Sequence, residues 1–199
     1  MKQLTLTKLF AALVLVAWPS IALAGPPLIC HPFQTSGSEL LPWGPGTNWN
    51  NPDPKYNVQR LRADLLRLLT PQAPVLARME NMRRAAIYAA QDKEVADGLL
   101  QALIARASAP SPGAIAVFDA GYLIESYKQA THLHRRPAPT QDGYALVVRA
   151  ISASGGNAEM EFAASLMTQG TQAEVHLRRA RVAAGAQPLL AKNIENVWR

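Results

Sequence analysis

Apolar residues recur at helical spacing along most of this chain, and no stretch of convincing length alternates with the period of two that a half-buried strand requires. Val58, Leu61, Leu65, Leu68 and Leu69 share one face of a predicted helix that starts at Asp53-Pro54, with Arg60, Asp64 and Arg67 elsewhere. Asp offers a capping oxygen there, and Pro at the first helical position gives up no needed N–H. Val75 to Ala90 carries Leu76, Met79, Met82, Ala86 and Ala89, the methionines reading as core filler. Gln91-Asp92-Lys93-Glu94 has the form of a cap and first turn leading into Val95, Leu99, Leu103 and Ile104. Ala107 to Gly113 (ASAPSPG) interrupts the pattern as an inter-helix loop. Ala114 to Ala130 then resumes it, with Phe118, Tyr122, Leu123, Tyr127 and Ala130 toward the body. Gly121 in its middle costs about 1 kcal/mol relative to Ala, which predicts a close helix–helix approach. Thr131 to Gln141 (THLHRRPAPTQ) is a basic, Pro-containing loop in which Thr140 is placed to cap the next helix.

From Asp142 to Gly185 the pattern reads helix, Gly-containing turn, helix, turn, helix, and Gln187 to Arg199 adds a short helix with Leu189, Leu190, Ile194 and Trp198. The outer two helices of the Asp142–Gly185 stretch share a phrase. Ala145-Leu146-Val147-Val148-Arg149-Ala150 aligns with Val175-His176-Leu177-Arg178-Arg179-Ala180 at an offset of about 30 residues, near the period of helical-repeat arrays. Asn157 to Met167, then Gly170, then Ala173 to Ala180 resembles the helix A, turn and helix B of tetratricopeptide-type repeats, with small residues Ala163, Gly170 and Ala180 near the close-packing positions. Ala114 to Ala130 resembles the same unit more faintly. The helix starts are unevenly spaced against that family's period of about 34 residues, and its usual Trp, Leu-Gly pair and terminal Pro do not occur together. The resemblance implies an all-α fold: an irregular stack of antiparallel helix hairpins, α-solenoid or tetratricopeptide-like, offering a surface to a protein or peptide. The chain as a whole also has the look of small exported bacterial proteins, a likeness that carries no activity.

The N-terminal quarter breaks the helical rule. Lys2 and Lys8 precede the apolar run Leu9 to Trp18, and Ala22-Leu23-Ala24 has the small-x-small form of a signal peptidase site. Residues 1–24 therefore read as a cleaved signal peptide, too short in its apolar run for a span of about 20 residues, and the protein is expected to be periplasmic or secreted. Gly25 to Pro52 is rich in Pro and Gly, which predicts an extended or turning course. Leu28, Ile29, Phe33, Leu40, Leu41, Trp43 and Trp49 are too many large apolar groups for a solvated linker. The expectation is an extended segment over residues 25–52 packed on the body with at least one Trp buried, then one helical-repeat-like domain over 53–199.

The formal charge of the full chain is +6, and removing Lys2 and Lys8 with the signal lowers it by two. The remaining basic residues are mostly Arg on helices beside Asp and Glu at helical spacing, the pattern of solvated helix faces, with no basic face interleaved with aromatics as in nucleic-acid binders. Nucleic acid is therefore not an expected partner, and the membrane is met only through the signal.

The single cysteine, Cys30, cannot form an internal disulfide. It stands as a possible reactive thiol beside His31, although a thiolate nucleophile needs a base placed by the fold rather than by sequence adjacency. His132 and His134, followed by Arg135 and Arg136, form a possible partner-binding loop. With His176 the two histidines fall short of the ligand sets that zinc sites use. Glu125 reads as a surface acid, and Glu159 and Glu161 fall on different helix faces. No phosphate loop, nucleophile elbow or zinc-protease motif occurs. The expected function is accordingly a non-enzymatic interaction module for an unidentified protein or peptide, with no cofactor, no metal and the oligomeric state open. The alternatives are a thiol enzyme or hydrolase joining Cys30 to His31, His132, His134 or His176, and a small-molecule carrier with an apolar inter-helix pocket.

Overall fold

The computed structural model describes residues 27–134 and 137–198, and among these the regular structure is entirely helical. The proposed signal peptide and the Arg135-Arg136 pair lie outside the described residues. A single turn, α1 (Pro27–Cys30), opens the N-terminal segment. A 3₁₀ turn (Val58–Arg60) leads into α2 (Leu61–Leu68), followed by α3 (Val75–Ala89), α4 (Lys93–Ala107) and α5 (Ala114–Gln129). The C-terminal part comprises α6 (Gly143–Ala153), α7 (Ala158–Ser165), α8 (Gly170–Ala184) and α9 (Pro188–Val197).

The starts of these helices follow local chemistry. Asp92 accepts from the N–H groups of Glu94 and Val95 to cap α4, and Asn157 accepts from Met160 N to cap α7. Two starts differ from the sequence expectation. Asp53-Pro54 begins no helix: Asp53 instead closes a turn by accepting from Lys55 and Tyr56 N, and Asn57 caps the 3₁₀ turn that follows. At α6 the cap is Asp142, accepting from Ala145 N, rather than Thr140. Gly155 and Gly156, with φ of +73° and +91°, make the α6–α7 turn in a region of backbone space that other residues rarely enter.

α5 is the centre of the body and touches α1, α3, α4 and α6. Its crossing with α6 is glycine on glycine. A Cβ on Gly121 would stand 2.5 Å from the carbonyl oxygen of Gly143, and a Cβ on Gly143 would stand 2.5 Å from that of Gly121. Backbone cannot retreat as a flexible side chain does, so both positions exclude any larger residue. The close approach expected of Gly121 is therefore present, and its partner is Gly143. Glu125, expected on the surface, is buried at the same crossing. Its Oε1 accepts from the N–H groups of Gly143 and Tyr144 at 2.9 and 3.2 Å and from Lys128 Nζ at 2.8 Å. It thus neutralises donors that the first turn of α6 leaves without intrahelical partners. In the phrase shared by α6 and α8, Val147 aligns with Leu177 and Ala150 with Ala180, and all four are buried.

Candidate functional site

Residues 28–51, hereafter the strap, lie across α5, α3, α9 and α7. Their apolar anchors are Leu28 and Ile29, fully buried, and Phe33 and Leu41, nearly so. Phe33 meets Phe162 of α7 edge-on, with ring centroids 6.1 Å apart. Trp43 and Trp49 are half-buried rather than buried. Trp43 packs edge-on against Tyr88, with the guanidinium groups of Arg83 and Arg84 5.0 and 5.4 Å from its ring centre.

An irregular chain packed on helices must place its peptide groups somewhere, since a buried N–H or C=O without a partner costs about as much as a lost hydrogen bond. Here the body's side chains receive them. Asn81 of α3 accepts from Leu41 N at 2.8 Å and donates to Glu39 O at 3.2 Å. Asn193 of α9 accepts from Gln34 N at 2.8 Å and donates to Gln34 O at 3.0 Å. Gln129 of α5 accepts from Leu28 N, while Arg83 donates to the carbonyls of Ile29 and Trp49. Arg84 donates to Leu41 O, and the Tyr88 hydroxyl donates to Pro42 O and accepts from Asp53 N.

The charges in this cradle are organised by Glu80. Its carboxylate accepts from Phe33 N at 3.0 Å, from Arg83 Nε and Nη2 at 2.8 Å each, and from Arg84 Nε at 2.7 Å. Glu80 and Arg83 are 1 % and 0 % exposed, contrary to the solvated face that their helical spacing suggests. Beneath them Arg78, also fully buried, bonds Asp119 of α5 at 2.6 Å and the carbonyls of Thr70 and Ala73. Burial pushes the Asp119 carboxyl up to about 6, outweighing the opposing pull of Arg78 and Arg106. Its second oxygen has no hydrogen-bond partner among the described residues.

A second polar constellation joins α6, α7 and α8. Gln172 donates to the Tyr144 hydroxyl at 2.9 Å, and that oxygen lies 2.7 Å from His176 Nε2. His176 Nδ1 bonds the Glu161 carboxylate, whose other oxygen receives Arg179 at 3.3 Å. Carboxylate, imidazole and phenol in line form a proton path in chemical terms, but burial raises the Tyr144 phenol rather than making it a better acid. Three helices are tied by one chain of bonds. Glu159, on another face of α7, lies toward the N–H groups of Val75 and Leu76 at the start of α3, and burial pushes its carboxyl up against their weaker downward pull.

The residues singled out from sequence are scattered with respect to these sites. Cys30 is half-buried in the strap, and burial pushes its thiol up while Arg83 pulls it down more weakly. That is the reverse of what an activated nucleophile needs. His31 is also half-buried, and desolvation holds its imidazole below the ordinary value. His132 is exposed, its ring 6.3 Å from that of Trp49, whereas His134 is buried with its ring 5.4 Å from that of Tyr127. The Thr131–Gln141 loop is thus not uniformly solvated. His176 is engaged by Glu161 and Tyr144. Among the described residues no group of three or more His, Cys, Asp or Glu is placed to hold a metal ion, and no helix is long and apolar enough to cross a membrane. A cavity of about 490 Å³ lies between the strap and α2, and its lining includes three acids (Glu39, Asp53, Asp64) and three bases (Lys55, Arg60, Arg67). It is a charged hollow, unlike the apolar pocket of a lipophilic carrier.

No motif marks Asn81, Asn193, Gln129 or Glu80 in the sequence. The available signal was that ten of the fifteen α3 residues are apolar and fall all round the helix, which leaves no wholly polar face to hold its five polar residues in water. No family model, no curated protein and no solved structure matches this chain.

Proposed function

We propose that the helical body is a module that binds an extended polypeptide, and that its cradle is occupied in cis by the chain's own strap. The observation that carries this reading is the pair of asparagines, each bonding both an N–H and a C=O of the strap main chain. An amide that reads peptide groups is blind to side-chain identity, so such a cradle suits extended chain as a class, with selectivity left to apolar anchor pockets. Full burial of each anchor contributes about 1.5–3 kcal/mol, and Leu28, Ile29, Phe33 and Leu41 supply four. The natural partner is then an extended protein segment with apolar anchors at comparable spacing, met in the periplasm or outside the cell if residues 1–24 direct export. The stack of helices serves as the tetratricopeptide-like scaffold of this surface, and the reading is of a binding protein rather than an enzyme.

The test is to place a specific protease site between Pro54 and Lys55, both exposed, and cut the folded chain there. The expected result is that the cut strap stays associated, and that a labelled synthetic peptide of residues 27–53 replaces it saturably. The same peptide with Phe33→Ala and Leu41→Ala should compete at least tenfold more weakly. A cut chain that loses its fold, or that never accepts the peptide short of denaturation, would show that the strap is only core.

A further inference from the structure

The strap is joined to the body by a single narrow hinge. Asp53 to Tyr56 form one turn, closed by the bond from Tyr56 N to Asp53 O at 3.1 Å and by Asp53 Oδ1 accepting from Lys55 N at 2.9 Å. Pro52 and Pro54 restrict the backbone of the residues around them and favour an extended course once that turn opens. Residues 28–51 are held to the body chiefly by four apolar anchors, the packing of Trp43 on Tyr88, the Glu39–Arg67 ion pair and main-chain bonds to Gln129, Glu80, Asn81, Asn193, Arg83, Arg84 and Tyr88. Bonds such as Gly44 N to Asn51 O stay within the strap.

We infer that the strap is exchanged between copies of this chain, so that two molecules form a reciprocal dimer in which each cradle is filled by the partner's strap. The inference rests on the binding function proposed above and specifies a partner for it. A second copy offers the same donors, acceptors and anchor pockets at the same spacing, so every strap contact made in cis is available in trans, and only the hinge changes. Charge makes the step accessible. Glu80 and Arg83 are buried with bonds to the strap's Phe33 N and its Ile29 and Trp49 carbonyls, so opening the strap frees charged groups that water can solvate. That rehydration offsets part of the contact energy lost, as it would not for an apolar cradle of equal size. The balance between closed monomer and exchanged dimer is set by the effective concentration of the tethered strap, on the order of millimolar for a short linker. Monomer prevails in dilute solution. Any change that stops the hinge from turning back favours the dimer.

Two measurements test this. Deleting Pro54 and Lys55 removes the two central residues of the turn, both exposed, and about 7 Å of reach. The expected product is a helical dimer with twice the chain mass by sedimentation equilibrium; a folded monomer would overturn the inference. Should that deletion fail to fold, the undeleted chain decides. Light and ¹⁵N-labelled copies, their hinges lengthened only by the protease site between Pro54 and Lys55, are held together at millimolar concentration, diluted, and weighed by native mass spectrometry. Mixed-mass dimers that fall to monomer mass when the hinge is cut support exchange. Absence of mixed dimers, or dimers that survive cutting, refutes it. If the labelled peptide binds the cut chain while no exchanged dimer forms, the exchange fails and the binding function stands. If the peptide does not bind, the binding function itself has failed.

Discussion

α3 and α8 are both 15 residues long and both mix charges with small apolar residues, yet they live in different surroundings. α8 buries Ala173, His176, Leu177 and Ala180, an i, i+3, i+4, i+7 stripe, and leaves Glu174, Arg178, Arg179 and Arg181 exposed. It is an ordinary peripheral amphipathic helix. α3 buries fourteen of its fifteen residues, with Arg78, Glu80, Asn81 and Arg83 among them. The difference lies in what covers the polar face. Solvent covers that of α8, whereas the strap and α5 cover that of α3, and the strap's peptide groups are what the α3 side chains then bond. A polar stripe on a helix is therefore a statement about bonding partners, which water or an irregular chain can equally supply.

Removing the hub of the α3 side should break this contrast most strongly. Glu80→Ala leaves Arg83 buried without its carboxylate and Phe33 N without its acceptor, and breaking a buried pair in this way costs about 3–5 kcal/mol. Urea unfolding should register that loss, with the strap becoming the first site of limited proteolysis. A loss under about 1 kcal/mol, within the range of exposed ion pairs, would mean that the α3 charges behave like those of α8. The Arg78–Asp119 pair comes next. Asp119 holds its proton more tightly when folded, at about 6 against 3.8 in the unfolded chain, so its favourable contribution is complete below pH 3.8 and is lost as pH rises through 6. That amounts to about 2–3 kcal/mol across the window. Asp119→Asn should remove this component, which a comparison of urea midpoints of the two proteins at pH 4 and pH 7 will detect; an unchanged difference between the two pH values would place the titration elsewhere. The smallest effect is expected on the α8 side. Tyr144→Phe deletes the bonds to Gln172 and His176 at a half-exposed site, a loss of about 1 kcal/mol readable in the thermal midpoint. A much larger loss would give α8 the same dependence on buried polar bonds as α3.

How much of this was legible beforehand varies with the physics involved. Helix existence was, because the 3.6-residue period survives whatever packs on it; α3, α4 and α5 begin and end within a residue or two of where their patterns and caps place them. The need for a close approach at Gly121 was also legible, since glycine in a helix interior is costly without one. Its partner Gly143 was not, because that contact joins different helices. Asp53-Pro54 shows the limit of local signals: the residues suit a helix start, but Asp53 N is taken by Tyr88 and its side chain closes a turn. The strap's docking was suggested by its large apolar residues, but the anchors proved to be the aliphatic residues and Phe33 rather than the tryptophans. The cradle itself was illegible. Asn81 and Asn193 are 112 positions apart and share no motif; they meet only through the strap that both bond.

What the sequence determined by itself, then, is a chain of helices preceded by a Pro- and Gly-rich segment too apolar to stay in water, because periodicity and composition act within a turn or two of chain. What only the tertiary structure decided is which polar faces remain wet. Burial of Glu80, Arg83, Arg78, Asp119 and Glu125 depends on chain distant in sequence that covers them, even where the paired charge, as in Glu80–Arg83 and Glu125–Lys128, is only three residues away. The energy of a charge is set largely by whether it is so covered.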